Sequence, residues 1–379
     1  MAVDRAGWAE MRAADLQPIF EAPGPFLSLY LAAGGDVENA AQRLEVRWKS
    51  ARGELQERGV PIGVLEAVDP LVEGGHAAGA TLAAVVSVDG AAYHTGLPSP
   101  LVREVLIRWG ATPYALPLLA HAQSQVPFVA VLASRAAAEI VAKLPDGERT
   151  EQVEGEQGPH LTRSAPGGWS QPRYQHRAEV LWERNASEVA DVLTRLVDET
   201  RPRFVAAAGD VRALQLLREQ SPKRLRELIR VVGGELPSLD QVLDKAAELV
   251  EAEVRGDAEA LLGRFARERG RGPGGLATEG AGPTLAALAR SQVEVLLVAD
   301  DPDDERTAWF GAAPQQVATD RDTVENMGEP MPVEGRLADV AVRAALGTAA
   351  DVHVLDPGGA GPRDGLGALL RFADQEETP

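Results

Sequence analysis

No apolar run in this chain is longer than a strand. The longest, residues 81–88 (TLAAVVSV) and 293–299 (VEVLLVA), fall far short of the roughly 18–20 residues a membrane-crossing helix needs. Similar short runs recur at 26–31 (FLSLYL), 127–133, 203–208 (RFVAAA) and 350–355 (ADVHVL), each bounded by turn residues or charge. Between them lie stretches with apolar residues at helical spacing. Residues 36–55 repeat Ala40, Leu44, Val46–Trp48, Ala51 and Leu55, and 172–200 trace one stripe through 178, 181/182, 189, 192/193 and 196/197. Further helices are predicted at 135–143, 211–218, 238–254, 258–269, 282–290 and 335–346, and a closing strand at 365–372. Strands alternating with helices imply layered α/β sandwiches.

At 379 residues the chain is too long for one ordinary domain. Two breaks divide it. Residues 145–160 (PDGERTEQVEGEQGPH) are acidic and poor in large apolar side chains, and 270–275 (GRGPGG) are rich in glycine. The expected organisation is an N-terminal α/β domain at 1–145, a middle α/β domain at 146–275 and a C-terminal α/β sandwich at 276–379. Hydrophobic residues at 45% and charged residues at 25% suit a globular protein. The N-terminus has no basic start followed by an apolar segment, so a cytoplasmic protein is expected.

Several chemistries are excluded by what the residues lack. There is no cysteine, hence no disulfide, thiol nucleophile or thiolate metal ligand. No GxxxxGK[ST] or G-x-S-x-G motif occurs, and Gly270–Gly275 follows a helix where a dinucleotide fingerprint would follow a strand. The six histidines show no HxH or HExxH spacing, so neither a metal nor a cofactor is expected. The acidic run Asp300-Asp301-Pro302-Asp303-Asp304 lacks the spacing of a calcium loop and reads as a solvated loop after a strand.

The net charge of −19 argues against a nucleic-acid partner, but it is unevenly distributed. Residues 161–230 hold 13 basic and 9 acidic side chains, against 12 and 20 in 1–160 and 7 and 18 in 281–379. Within this segment stands Gly167-Gly168-Trp169-Ser170-Gln171, followed by Pro172, a residue suited to a first helical turn. Paired glycines allow close backbone approach, Trp169 offers a ring for stacking, and the Gln171 carboxamide offers a hydrogen bond to a water or an ester carbonyl. Arg173, Arg177 and Arg184 follow at i, i+4 and i+11 on one helix face. By themselves these residues fit two readings, a tip that enters RNA or a plain loop before a helix with a solvated basic face.

Three segments together resemble the archaeal–eukaryotic class of peptide-chain release factors and Pelota-like proteins, in its bacterial branch, which includes the Balon-like ribosome hibernation factors. GGWSQPRYQHR at 167–177 is similar to the family's GGQ loop and the arginine-bearing helix behind it. GAGPTLAALARSQVEVLLVADD at 280–301 is similar to the opening of the third domain, and GLGALLRF at 365–372 to its closing strand. The resemblance implies a three-domain release-factor/Pelota-like architecture and a monomer. It places the first domain in the decoding site, the middle domain toward the peptidyl-transferase centre and the third against a translational GTPase or other translation partner. It implies Gly167, Gly168, Trp169, Ser170, Gln171, Arg173, Arg177 and Arg184 as the ribosome-binding residues. Trp169 and Ser170 separate the glycines from Gln171, where the family's glutamine follows directly; two residues at about 3.3 Å each displace the amide by several ångströms. No codon-reading loop of the NIKS type stands in residues 1–130. The expectation is therefore a non-decoding factor that occupies the ribosomal A site and protects idle ribosomes under stress. The alternative is a peptidyl-tRNA hydrolase in which Gln171 is catalytic and orients water.

Overall fold

The computed structural model of the chain describes residues 16–32, 37–74, 81–97, 103–144, 147–155, 171–234, 238–272 and 274–373; at 17, 37–40, 74 and 171–178 it describes the backbone alone. The chain forms two compact units, residues 124–256 and residues 1–123 with 257–379.

The unit 124–256 is built on a five-stranded sheet in the order Gly147–Glu154, Ala137–Leu144, Phe128–Ala133, Phe204–Gly209, Ile229–Val231. The first three strands form an antiparallel meander and the last three run parallel. Helices Gln171–Thr200, Val211–Gln220 and Lys223–Leu228 cover one face, where Leu193, Leu196, Val197, Leu214, Leu217 and Leu225 meet Val129, Val131, Ile140 and Val205. Val242 and Ala246 of helix Leu239–Gly270 cover the other face over Ala130, Phe204 and Ala206. The architecture is α/β, as the alternation of elements implies.

Three expectations need correction here. Residues 137–144 (AAEIVAKL) form a strand in place of the helix read at 135–143. Their alanine, glutamate and lysine favour a helix in isolation, but Ala138, Ile140, Ala142 and Leu144 alternate into the core and strands flank them on both sides. The acidic stretch taken as a break contributes the edge strand Gly147–Glu154, so this sheet begins ahead of residue 146. The two helices read at 238–254 and 258–269 are one helix of 32 residues, Leu239–Gly270. Gly256, inside it, costs only about 1 kcal/mol relative to alanine and does not break it.

In the other unit, a fully antiparallel sheet runs Ala92–Leu97, Thr81–Ser87, Phe26–Ala32, Val105–Gly110. The two central strands, Phe26–Ala32 and Thr81–Ser87, are buried on both faces, which explains their continuous apolar runs. Leu27, Leu29 and Leu31 pack on Leu44, Trp48, Leu65 and Val68 of helices Val37–Glu57 and Ile62–Gly74. Phe26 and Tyr30 point the other way, into a core shared with residues 285–370. That C-terminal part holds a mixed sheet, Ala277–Glu279, Leu366–Leu370, Val293–Ala299, Asp351–Leu355, and a small sheet of Val317–Ala318, Thr307–Phe310 and Val333–Arg336. The helix read at 335–346 starts at Leu337, because Gly335 and Arg336 belong to the strand before it.

The seam between the two segments of this unit is polar. The Tyr30 hydroxyl donates to the Tyr114 carbonyl at 2.6 Å, and the Tyr114 hydroxyl donates to Asp300. The Arg108 and Arg336 guanidiniums each lie 5.0 Å from the Tyr114 ring centre. Arg336 also donates to Asp339 at 3.0 Å, both side chains being almost sealed from solvent. The acidic run is thus no free loop. Asp300 is half-buried, Asp303 accepts from Arg103, Asp304 from Arg306, and the Pro302 carbonyl from Arg108.

Candidate functional site

Helix Gln171–Thr200 begins at the glutamine of the motif and runs 30 residues. Asn185 is the first of its residues described as buried, and Glu179, Val180, Glu183 and Arg184 are exposed. The 14 residues from Gln171 to Asn185 rise about 21 Å at 1.5 Å each. We call this front stretch of the helix, ahead of Asn185, the arm. Gly167, Gly168, Trp169 and Ser170 lie outside the described residues. Gln171, Arg173 and Arg177 lie in the first two turns of the arm, where the backbone is described. Arg184 stands further along it, exposed, with Glu188 at 3.7 Å one turn away.

The base of the arm is a set of contacts that the sequence pattern did not single out. Arg135, in the turn between strands Phe128–Ala133 and Ala137–Leu144, grips Asp210 through Nε and Nη2, both at 3.0 Å. Its guanidinium lies 4.6 Å from the Trp182 ring centre, and its carbonyl accepts from Asn185 Nδ2 at 3.0 Å. Asp210 in turn caps helix Val211–Gln220, accepting from the amides of Arg212 and Ala213 at 2.9 and 3.1 Å. The Arg135 guanidinium, with those two amides, holds the Asp210 carboxyl below the usual carboxylate range. Gly209 ahead of it has φ +137°, and a Cβ there would sit 1.8 Å from the Ala133 carbonyl oxygen. Gly155 closes the set, since a Cβ there would meet Asn185 Cγ at 2.3 Å. All of this stands at the carboxyl ends of two parallel strands, the edge where α/β sheets present functional groups.

One signal in the sequence pointed here. Gly209-Asp210 directly follows a strand and precedes a helix, the pattern of a tight exit with an aspartate cap. Arg135, which partners it from 75 residues away, has no local signature.

Folding brings two carboxylates from outside, Glu151 and Glu253, onto the basic residues of 161–230. Arg195 pairs with Glu151 at 2.9 Å, Arg203 and Arg230 share Glu253 at 3.0 and 2.7 Å, and Arg224 meets Asp198 at 2.6 Å. Arg230, ahead of Arg203, holds Glu253 below its ordinary range. Arg201, Arg218 and Arg226 are exposed and Arg212 is half-buried. Exposed pairs contribute about 0–1 kcal/mol each, so a phosphate group can displace a partner carboxylate at small cost. Among the described residues no group of three or more His, Asp or Glu could hold a metal ion, and no helix is long and apolar enough to cross a membrane.

Residues 127–271 match the family described as bacterial archaeo-eukaryotic release factor family 2. The chain is 30% identical over 376 residues to the uncharacterized protein Rv2629 of Mycobacterium tuberculosis, covering 96% of this chain and 97% of that one. Among solved structures it is similar to Archaeoglobus fulgidus Pelota, with a TM-score of 0.36 and 17% identity over 78% of this chain and 80% of that one. It is also similar to S. cerevisiae Dom34, with a TM-score of 0.38 and 9% identity over 97% and 95% of the two chains.

Proposed function

This chain belongs to the bacterial archaeo-eukaryotic release factors, and we propose that it is a cytoplasmic, ribosome-binding translation factor that occupies the A site without decoding and protects idle ribosomes. What supports the reading is the arm, a helix that starts at Gln171 directly behind residues 167–170 and keeps Glu179, Val180, Glu183 and Arg184 exposed ahead of Asn185. An element of this length and charge suits a crowded RNA channel. In this reading Gly167, Gly168, Trp169, Ser170 and Gln171 form the tip toward the peptidyl-transferase centre, and Arg173, Arg177 and Arg184 follow the phosphate backbone. The N-terminal domain takes the decoding-site side, and residues 276–379 offer a surface to a translational GTPase. Trp169 and Ser170 keep Gln171 away from its place in a GGQ loop, so the tip blocks the centre instead of hydrolysing an ester there. Peptidyl-tRNA preloaded in the P site should stay intact in its presence.

The experiment is co-sedimentation with vacant, salt-washed 70S ribosomes at low and moderate salt. Near-stoichiometric pelleting that weakens as salt rises is the expected result, because each phosphate contact releases a counterion. Arg173→Glu with Arg177→Glu should weaken binding and lower the salt slope by about two contacts. Absence of pelleting at both salts, with an elongation-factor GTPase also supplied, overturns the reading.

A further inference from the structure

We propose that Arg135 is the positioning residue of the arm, a single side chain that fixes the direction in which helix Gln171–Thr200 leaves its sheet. The argument begins with how Arg135 itself is held. Its turn is closed by the Ser134 amide donating to the Ala137 carbonyl at 2.8 Å. The Ser134 hydroxyl oxygen accepts from the amides of Ala136 and Ala137 at 3.3 and 2.9 Å. The guanidinium therefore projects from a fixed point at the end of a buried strand.

From that point the guanidinium joins two helices, and the Arg135 carbonyl adds a third contact. The fork onto Asp210 ties it to the cap of the neighbouring helix, with both nitrogens at 3.0 Å. The stack on Trp182 and the carbonyl bond to Asn185 hold two residues one turn apart on the arm. These two positions flank the exposed Glu183 and Arg184, and buried residues Asn185 and Ala186 follow. Gly155 allows Asn185 to sit there, because no side chain fits between them. Removing Arg135 leaves Trp182 without its lid and Asp210 without its fork, while the hydrophobic contacts from Val189 onward persist.

Leverage makes the clamp matter. A swing of about 10° at Asn185 moves the start of the helix by about 4 Å, given a 21 Å arm. The fork and the stack are partly exposed, with 45% of the Arg135 and 25% of the Asp210 side chain accessible. Their contribution to global stability is accordingly small, and their effect is on direction. The last step of the inference, that a well-directed arm is needed for ribosome binding, rests on the function proposed above; the clamp itself does not.

The chain has no cysteine, so spin labels can be placed by two substitutions in the full protein, Glu179→Cys on the arm and Glu139→Cys on the sheet. Both positions are exposed. Electron–electron distance measurement should give one narrow distribution with Arg135 present and a broad one with Arg135→Gln. Arg135→Lys, which keeps the cation over Trp182 and loses the fork, should fall between them. Trp182→Leu keeps a half-buried apolar side chain and should broaden the distribution even if Arg135→Gln folds poorly. A distribution as narrow as wild type in Arg135→Gln and Trp182→Leu, with their helical signal and melting retained, overturns the clamp. A lower melting temperature with an unchanged distribution also overturns it, since that is a structural role without a directing one. The labelled proteins are then pelleted with 70S ribosomes. Arg135→Gln should lose affinity on the order of tenfold, as the competent fraction of arm directions falls. If wild type itself fails to pellet, the ribosome reading fails while the distance result still decides the clamp.

Discussion

Asp339 is buried next to Arg336, with 4% of its side chain exposed. Burial pushes its carboxyl up to about 7, while the guanidiniums of Arg336 and Arg108 hold it down. Asp300, which accepts from the Tyr114 hydroxyl, is also raised by burial. A raised carboxyl inverts the usual dependence. The folded state binds the proton more tightly than the unfolded chain between about pH 4 and 7, so the contribution of Asp339 is complete below pH 4 and lost as pH rises through 7. Asp339→Asn, which keeps the shape and removes the titration, should gain melting temperature relative to wild type as pH goes from 5 to 8. A difference between the two that stays flat over that interval would show that Asp339 does not titrate there. None of this was legible in the sequence. The acidic run at 300–304 looks like any solvated loop, because its arginine partners lie up to about 200 positions away, Arg103 to Asp303 being one pair.

Among the elements, legibility followed how local the cause is. The arm helix carries its own stripe and its own proline start, and both were readable. The strand Ala137–Leu144 was not, since its conformation is imposed by partners on either side against its own propensity. The small sheet of Val317–Ala318, Thr307–Phe310 and Val333–Arg336 was missed for the same reason, its strands being two to four residues long. Two glycines test how well the elements are understood. Gly209→Ala would put a methyl 1.8 Å from a backbone oxygen at φ +137°, and should destabilise the middle unit by about 3 kcal/mol or more. Gly256→Ala, exposed inside helix Leu239–Gly270 with no neighbouring atom within 4 Å, should stabilise it by about 0.5–1 kcal/mol. Thermal melts of the two variants check both, and a shared sign would show that the backbone at one site differs from the description.

At the scale of the molecule, summing charge along the chain located a basic block but not the partners its arginines take. Folding brought Glu151 and Glu253 from outside the block onto Arg195, Arg203 and Arg230, a pairing that linear counting cannot register. Nor does spacing reveal that residues 1–123 and 257–379 share one compact unit. Phe26, Tyr30, Ala83 and Val85 pack into a core completed by Leu285, Leu296, Val340 and Ala368. Residues 1–123 expressed alone should therefore lack a cooperative melt and bind an apolar dye, and co-expression with 257–379 should restore a single sharp transition. A cooperative melt of 1–123 by itself would show that the helix-covered face of its sheet is sufficient.

That shared core sets an order of events during synthesis. Tyr30 leaves the ribosome early, yet Leu296, Val340 and Ala368 follow some 250 or more residues later, a delay of roughly 10–60 seconds at bacterial elongation rates of about 5–20 residues per second. Residues 124–256 need no such wait, because their sheet and both covering layers emerge together. The nascent chain thus completes its middle before its beginning. Through that interval the apolar face around Phe26 and Val85 stands open, a natural client for whatever holds unfinished chains at the exit tunnel.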